Sequence, residues 1–394
     1  MFTQIPKVIL AIEDSSSYCR DLIKGISRYA RVHGPWSIYR DIHDSSYLHG
    51  RNYRKEFYEH LQDIEADGLI TRSPKRTMKL TRKGIPTIVA ITESKAVGDF
   101  PKLQINHIAV GEMAAKYFLE KGYKNFAFYG DTKYLWTKMR YKGFRNIVEK
   151  SRCSLTCYDP PPAKTIMQKG FGYKINHIAD WLSSLEKPIA VMASSDAWAV
   201  NVIEAARIAG INIPEQLSLI GVDNDVPICD TCFPQLSSIH LNSEQAGFKI
   251  AELLDRIMKG EKTYEHIVKV EPVQVITRVS TDTLAVEDED VVTAMRYIRA
   301  MKREPVQITE VAEEAAVSLR TLQKKFKENL NSTILDEIKR TRINYIKELL
   351  LNTDMSITKV SDFLYFSGTN SFSRYFKANT GYSPLEYRKK YGRY

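Results

Sequence analysis

Carboxylate, hydroxyl and guanidinium side chains follow the apolar segments in the first two thirds of the chain. The residues at these positions that could bind a polyhydroxylated ligand are Asp14, Ser15, Tyr18, Arg20, Trp136, Arg140, Ser195, Asp196 and Asp223. Carboxylates accept and guanidinium groups donate hydrogen bonds to vicinal hydroxyls, and an aromatic face covers the C–H side of a sugar ring. These residue types indicate a sugar-binding site. The alternative is that they only cap helices and form loops.

Other chemistry finds little support in the sequence. There is no Gly-rich phosphate-binding segment after the first apolar run and no nucleophile–base constellation. The pairs Cys153/Cys157 and Cys229/Cys232 lack His or Cys neighbours at metal-ligand spacing. We therefore expect no catalytic residue, no metal and no cofactor. Five sparse cysteines, an N-terminus unlike a signal peptide and no apolar run of membrane-spanning length predict a cytoplasmic protein.

The apolar segments alternate with amphipathic segments of helical length. Strands are predicted at Lys7–Ile12, Trp36–Tyr39, Asp67–Ile70, Pro86–Ile91, Asn125–Gly130, Pro188–Ala193, Leu217–Val222 and Val268–Ile276. Apolar strands separated by helices predict parallel sheets that are covered on both faces. A division near Asn106 would give two doubly wound lobes. Ligands bind beyond the carboxyl ends of strands in such sheets, which is where the polar residues lie.

The last hundred residues show a helical pattern and repeat themselves. Leu322–Asn329 aligns with Phe372–Asn379 at an offset of 50, with matching apolar and cationic positions. Each copy follows a short predicted helix, Ile308–Ala316 or Ile357–Leu364, and a tight turn. This is the spacing of two helix-turn-helix motifs. The segment Ser332–Leu351 between them predicts a helix of about 30 Å, long enough to place two recognition helices in adjacent major grooves.

Positive charge is concentrated in the same part of the chain. Residues 318–394 hold 15 Lys or Arg and 7 Asp or Glu, and so carry eight of the ten net positive charges. A basic terminal domain beside a nearly neutral body favours a polyanionic partner, although a helical bundle with a solvated basic face is the alternative. The polar residues predicted to face double-stranded DNA are Arg320, Thr321, Gln323, Lys324 and Lys327 in the first recognition helix, and Thr369, Asn370, Ser371, Arg374 and Lys377 in the second. Arg suits guanine, and Asn or Gln suits adenine.

Residues 7–278 resemble the effector domain of the LacI/GalR family and its periplasmic sugar-binding relatives. The segments that carry the resemblance are Ala66–Ile70, Glu120–Ala127, Arg140-x2-Gly143-Phe144 and Ile213–Asp223. The resemblance implies that Arg140 and Asp223 bind sugar hydroxyls. The chain has Ser195-Asp196 where that family has Asn-Asp, and Ile105-Asn106 where it has Asp-Asn. These departures allow a sugar other than the family's hexoses.

Residues 291–391 resemble the DNA-binding domain of the AraC/XylS family, on the signature that runs from Phe372 through Gly381 and Pro384 to Arg388. Tyr365 stands where that family prefers Gly, and Ser361 replaces a small apolar residue. The expected organisation is a sugar-sensing domain over 1–281, a linker over 282–290 and a DNA-binding domain over 291–394.

The two resemblances together imply a sugar-responsive transcription regulator. The combination of the two domains resembles that of bacterial regulators of pentose use, and this resemblance implies D-xylose as the effector and activation as the outcome. A homodimer on paired operator or promoter half-sites, in contact with RNA polymerase and not with a membrane, is the expected assembly. Two alternatives remain open: an enzyme that acts on a sugar and carries a DNA-binding tail, and a regulator whose sensor domain binds a protein partner.

Overall fold

The computed structural model describes residues 5–391 apart from 15, 41–58, 73, 76, 91–99, 262–266 and 287. The described residues form two α/β lobes and a helical domain. Two six-stranded sheets form the centres of the two lobes. The expected fold class, a two-lobed sensor followed by an all-α domain, is confirmed.

The first lobe is built on a parallel sheet in the order β2–β1–β3–β4–β5–β11. Its strands are β1 (Lys7–Ala11), β2 (Ser37–Arg40), β3 (Gly68–Thr71), β4 (Thr87–Ala90), β5 (Lys102–Ile105) and β11 (Ile267–Val270). Its helices are α1 (Ser17–His33), the single turn α2 (Met78–Thr81) and α8 (Ser243–Met258), with a 3-10 turn at Leu61–Asp63. The central strands are buried along their whole length because helices cover both faces of the sheet.

The second lobe repeats this plan in the order β7–β6–β8–β9–β10–β12. Its strands are β6 (Asn125–Tyr129), β7 (Ser154–Cys157), β8 (Ile189–Ala193), β9 (Leu217–Val222), β10 (Ser237–Leu241) and β12 (Pro272–Ile276). Its helices are α3 (His107–Leu119), α4 (Leu135–Lys150), α5 (Ala163–Ser184), α6 (Asp196–Ile208) and α7 (Val226–Thr231). β12 runs antiparallel to β10, whereas the other neighbouring strands of this sheet are parallel.

The chain crosses between the lobes three times. The expected division near Asn106 is the first crossing, and Asn242 and Glu271 mark the other two. The expected single strand over Val268–Ile276 is wrong: Glu271 divides it into β11 in one sheet and β12 in the other. Hydrogen bonds join the crossings, since Asn106 Nδ2 donates to Glu271 Oε2 (2.9 Å) and Glu271 N donates to Asn242 Oδ1 (3.2 Å). These three residues therefore form one hinge.

Reciprocal glycines allow a pair of helices to pack closely in each lobe. A Cβ on Gly111 of α3 would lie 2.0 Å from the carbonyl oxygen of Arg140, and one on Gly143 of α4 would lie 2.1 Å from that of Ile108. In the first lobe, Gly25 of α1 and Gly247 of α8 approach in the same way. Because only glycine leaves this space, the two backbones come into direct contact and the helix ends are fixed relative to each other.

The helical domain consists of two bundles that share one long helix. Its helices are α9 (Glu289–Ala300), α10 (Ile308–Glu314), α11 (Leu319–Leu330), α12 (Ile334–Asn352), α13 (Ile357–Phe363), α14 (Thr369–Thr380) and α15 (Pro384–Tyr391). The start of α12 contributes Ile334 and Ile338 to a core around Phe326, and its second half packs around Phe372 and Phe376. The 19 residues of α12 span about 28 Å, so the expected rod between two helix-turn-helix motifs is present.

Both tight turns pass through a left-handed residue that is not glycine. Ala316, after α10, has φ 53°, and Tyr365, after α13, has φ 56°. Tyr365 therefore closes its helix in the conformation that glycine adopts more easily, at a cost of about 1–2 kcal/mol. Its ring stacks on the guanidinium of Arg303, 4.8 Å away, which offsets part of that cost. Ser361 is fully buried inside α13. Neither departure lies on the face predicted to contact DNA.

Candidate sugar cleft and nucleic-acid interface

Arg140 is a buried cation at the carboxyl edge of the second sheet. It is 3% exposed, and its guanidinium donates to the carbonyl oxygen of Ser194 directly after β8. Its Nε donates to His107 Nδ1 at 3.3 Å, and its Nη2 lies 3.4 Å from Asp223 Oδ1. The ring of Trp136, one turn earlier in α4, lies 5.1 Å from the guanidinium carbon. The structure therefore brings Trp136, Arg140 and Asp223 together.

Asp223 follows β9 in a tight turn of unusual backbone conformation. Its φ is 102° and that of Asn224 is 50°, a region that Asp and Asn tolerate better than other side chains that carry a Cβ. The Asp223 side chain is 18% exposed, so it remains open to a ligand. Burial raises the pKa of Asp223, and the charge of Arg140 opposes that shift.

Asp196 stabilises this turn through hydrogen bonds to its buried carboxyl group. Its Oδ2 accepts from the backbone N of Asp225 (2.7 Å) and its Oδ1 accepts from Ser238 Oγ (2.6 Å). Gly221 in β9 makes room for it, since a Cβ there would lie 2.1 Å from Asp196 Oδ1. Burial, with the nearby charge of Asp223, raises the pKa of Asp196 to about 8. Ser195, which was predicted beside Asp196 as a sugar-binding residue, caps α6 because its side chain accepts a hydrogen bond from Trp198 N.

The first lobe supplies Arg20 to the opposite side of the cleft. Arg20 Nη2 donates to Asp225 Oδ2 at 2.7 Å, which joins α1 to the turn after β9 across the two lobes. Its Nη1 donates to the carbonyl oxygen of Asp14 (3.1 Å), and the Asp14 carboxylate pairs with Arg40 (2.9 Å). Tyr18 is 5% exposed, and burial raises its pKa. Ser15 lies outside the described residues.

His107, Ser194 and Asp225 also belong to this cluster, although none of them is among the predicted sugar-binding residues. His107 is the first residue of α3, directly after the hinge residue Asn106. Burial and the Arg140 charge lower the pKa of His107 to about 3, so the imidazole is neutral and its Nδ1 accepts from Arg140. Asp225 immediately follows the Asp223-Asn224 pair. That position after β9 was the signal in the sequence that could have identified it as a residue of the cleft.

The predicted DNA-facing side chains lie on the outer surfaces of α11 and α14. Those that are exposed are Arg320, Thr321, Gln323, Lys324, Lys327, Asn370, Arg374 and Lys377, while Thr369 and Ser371 are half-buried. Ser371 Oγ donates to the carbonyl oxygen of Gly368 (2.8 Å), so part of its hydrogen-bonding capacity stabilises the start of α14. Lys324 Nζ lies 3.8 Å from Glu328 Oε1, but the Lys324 side chain is 76% exposed. A basic, polar surface is thus present on both helices.

Comparison with known proteins assigns a domain type to each of the two parts of the chain. Residues 115–281 match a periplasmic binding protein-like domain, and residues 311–390 match a helix-turn-helix domain. The xylose operon regulatory protein of Haemophilus influenzae is 27% identical over 398 residues, which cover 98% of this chain and 99% of that protein. The Escherichia coli K12 protein of the same name is 26% identical and covers 98% of each. The chain is a helix-turn-helix transcription regulator with a periplasmic-binding-protein-like sensor domain.

Solved structures agree with this assignment of the regulator. A xylose-binding transcription activator, xylR, aligns with a TM-score of 0.60 at 25% identity, over 100% of both chains. A periplasmic binding protein/LacI transcriptional regulator from Alkaliphilus metalliredigens, complexed with D-xylulofuranose, covers 71% of the regulator with a TM-score of 0.54 at 20% identity and shows the fold of the sensor. The full-length relatives are regulators, so the expectation that the chain is not an enzyme is confirmed. Among the described residues, no helix is long and apolar enough to span a membrane.

Proposed function

We propose that D-xylose binds between the two lobes and changes the affinity of the helix-turn-helix domain for its operator. The observation that carries this proposal is the buried Arg140, fixed at the lobe boundary against His107, Ser194 and the partly open Asp223 carboxylate. A charged donor and a charged acceptor side by side suit vicinal hydroxyls. The full-length similarity to regulators named for the xylose operon supports this sugar in particular.

The remaining predicted residues take different parts in this proposal. Trp136 covers an apolar face of the sugar, while Asp14, Tyr18 and Arg20 close the cleft from the first lobe. The part of Ser15 in sugar binding stays a prediction from the sequence. Ser195 and Asp196 act mainly on the shape of the site, because both cap or tether backbone groups of the second lobe. Arg20 joins the lobes through Asp225, so a bound sugar would either displace this pair or be enclosed by it.

The proposal for the DNA side follows from the two basic helices. α11 and α14 enter adjacent major grooves, with Arg320, Gln323, Asn370 and Arg374 on base edges and Lys327 and Lys377 on phosphates. The regulator acts in the cytoplasm as a homodimer on paired half-sites, and it activates pentose-use genes through contact with RNA polymerase. The domain limits are 1–281 and 291–394 with 282–290 between them.

Asp223→Asn tests the sugar site. The Asn side chain tolerates φ 102°, so the turn survives, but the charged acceptor is lost and D-xylose affinity should fall about 10-fold or more. Calorimetric titration of D-xylose and other pentoses into the full chain measures this. Asp180→Asn, on the exposed face of α5 in the same lobe, is the matched control. Operator affinity without sugar should be unchanged in both variants.

The outcomes separate the alternatives. A folded Asp223→Asn variant with wild-type xylose affinity would remove this residue from the site. A wild-type chain that binds none of the pentoses but retains operator binding would favour a protein partner for the sensor domain.

A further inference from the structure

The second lobe holds the helical domain near the middle of the rod α12. Arg340 of α12 donates to both carboxylate oxygens of Glu337 (2.9 and 3.1 Å), and its Nε lies 3.7 Å from Glu120 Oε2 at the end of α3. Glu337 is 2% exposed. Further along, Val273 of β12 packs against the apolar core around Phe372 and Phe376. The second lobe is thus attached to the helical domain through an ion-pair cluster on the rod and through an apolar contact with the second core.

The connecting segment adds a second attachment to the same lobe. Ala285 N donates to the carbonyl oxygen of Lys121 (2.9 Å), and Lys121 Nζ donates to that of Thr283 (3.3 Å). Leu284 and Val286 pack against the apolar core of the first helix-turn-helix motif. This segment is therefore ordered against both the sensor and the helical domain, and it transmits position between them.

The first lobe touches the helical domain at its far end. Gln245 Nε2, in the first turn of α8, donates to the carbonyl oxygen of Lys389 in α15 at 2.9 Å. Gln245 lies three residues beyond the hinge residue Asn242. α15 belongs to the second helix-turn-helix core through Tyr387, which packs on Phe376. The second motif is therefore held by both lobes.

A large cleft lies beside these attachments. It measures about 1310 Å³ and is lined by α3, β12, α9 and α12. Because the facing surfaces are separated there, the rod has room to tilt about the Glu120–Arg340 contact. The present arrangement is also the one in which the lobes meet through Arg20 and Asp225.

We propose that the rod α12 is a lever, pivoted on the second lobe at Glu120–Arg340 and moved by the first lobe through Gln245–Lys389. This inference rests on the proposed sugar function, and it states how sugar binding changes the orientation of the recognition helices. Rotation of the lobes about Asn106, Asn242 and Glu271 would move Gln245 relative to the pivot. Shifts of about 1–2 Å are enough to switch packed helices. Because α12 contributes to both helix-turn-helix cores, tilting it reorients α11 and α14 together.

The lever predicts that coupling can be lost while sugar binding is kept. In the full chain, Gln245→Ala should leave D-xylose affinity within about two-fold of wild type, because Gln245 does not contact the Arg140–Asp223 cluster. The change in operator affinity on adding D-xylose should shrink about 2- to 10-fold, the effect of losing one hydrogen bond. By linkage, the effect of operator on xylose affinity should shrink by the same factor.

The measurement uses a fluorescent duplex selected by binding to the wild-type chain, titrated with and without saturating D-xylose. Glu120→Gln, which weakens the pivot at a half-exposed residue, is a second variant in case Gln245→Ala is unstable. Glu149→Gln, in the surface pair with Arg145 (3.7 Å) on α4, is the matched control and should keep the full response.

The results distinguish failure of the lever from failure of the sugar function. Full sugar responses in folded Gln245→Ala and Glu120→Gln would overturn the lever and leave the sugar function standing. Absence of any response to D-xylose in the wild-type chain would overturn the sugar function, and the lever with it. A response lost only in the two junction variants, with xylose affinity kept, supports both.

Discussion

At the scale of single residues, the sugar cleft depends on groups that hold Arg140 in one orientation. A buried guanidinium is stable only when its donors are satisfied, and here a carbonyl, an imidazole and a carboxylate satisfy three of them. His107 can accept only because it is neutral, and it is neutral because it is buried beside a cation. The arginine therefore meets a ligand already oriented, without the entropy cost of ordering a flexible side chain.

Asp196 should make the stability of the protein depend on pH. Its pKa of about 8 in the folded state lies far above the value of 3.8 for a free carboxyl. The folded state therefore holds a proton that the unfolded chain releases, and the free energy of unfolding should fall as the pH rises from about 4 to 8 and level off above. Urea unfolding of wild type and Asp196→Asn between pH 5.5 and 9 measures this contribution.

The Asn variant should lose that part of the pH dependence. Its amide oxygen can still accept from Asp225 N and its NH2 can donate to Ser238 Oγ, so the turn after β9 should be kept. The wild-type curve should be steeper by up to about 1.4 kcal/mol per pH unit. Equal slopes for the two proteins would show that Asp196 is ionised throughout this range. Asp180→Asn should behave like wild type.

Residue type alone predicts some of this cleft. Arg140 and Asp223 were recognisable because a charged residue next to an apolar strand or within a helix motif stands out along the chain. His107 was not, because its role appears only when the glycines of α3 and α4 bring the two helix ends together. The Arg20–Asp225 pair joins residues 205 positions apart, and no local pattern predicts such a contact.

At the scale of elements, the strands with long apolar runs were predicted, because such a run is the signal of a buried strand. β5, β7 and β10 were missed. β10 lies inside its sheet but carries Ser237 and Ser238 in place of an apolar run. Ser237 is satisfied by neighbours from the 3-10 turn at Val279–Thr281, bonding to Ser280 (2.9 Å) and Thr281 (2.7 Å). A polar strand of this kind is stable only with partners that lie elsewhere in the sequence.

The recognition helices should divide base reading from backbone binding. Arg374→Ala and Arg320→Ala should each cost about 1–3 kcal/mol at the cognate site and relax base preference at one position, because arginine bonds to guanine edges. Lys377→Ala, one turn after Arg374, and Lys327→Ala, two turns after Arg320, are the matched pair and should weaken all sequences to a similar degree. Anisotropy titrations with the cognate duplex and its single-base variants measure this. Unchanged discrimination in Arg374→Ala would show that α14 does not read bases.

At the scale of the whole molecule, the separate apolar cores suggest that the helical domain can fold alone. A fragment over residues 283–394 should bind DNA, and the logarithm of its affinity should fall linearly with that of the salt concentration, by about 0.9 for each phosphate contact. The fragment should start at 283 because Leu284 and Val286 pack on the first core. A fragment over 287–394 should therefore unfold at a lower temperature.

Salt titration of the fragment and thermal melting of both fragments check these expectations. Lys377→Ala should reduce the salt slope of the longer fragment by about one unit. DNA binding that is equal at low and high salt would contradict an electrostatic interface. Equal melting temperatures for the two fragments would show that the connecting segment adds nothing to the first core.

The three crossings between the lobes also set the order in which the protein can be completed on the ribosome. When β5 has emerged, the first sheet still lacks β11, and the glycine face of α1 still lacks α8. The missing elements lie beyond the whole second lobe, and at synthesis rates of about 5–20 residues per second they follow roughly 10–30 s later. The nascent first lobe must therefore wait with an open sheet edge and an uncovered helix while its neighbour is made, and a chaperone that binds nascent chains would find its target in this interval.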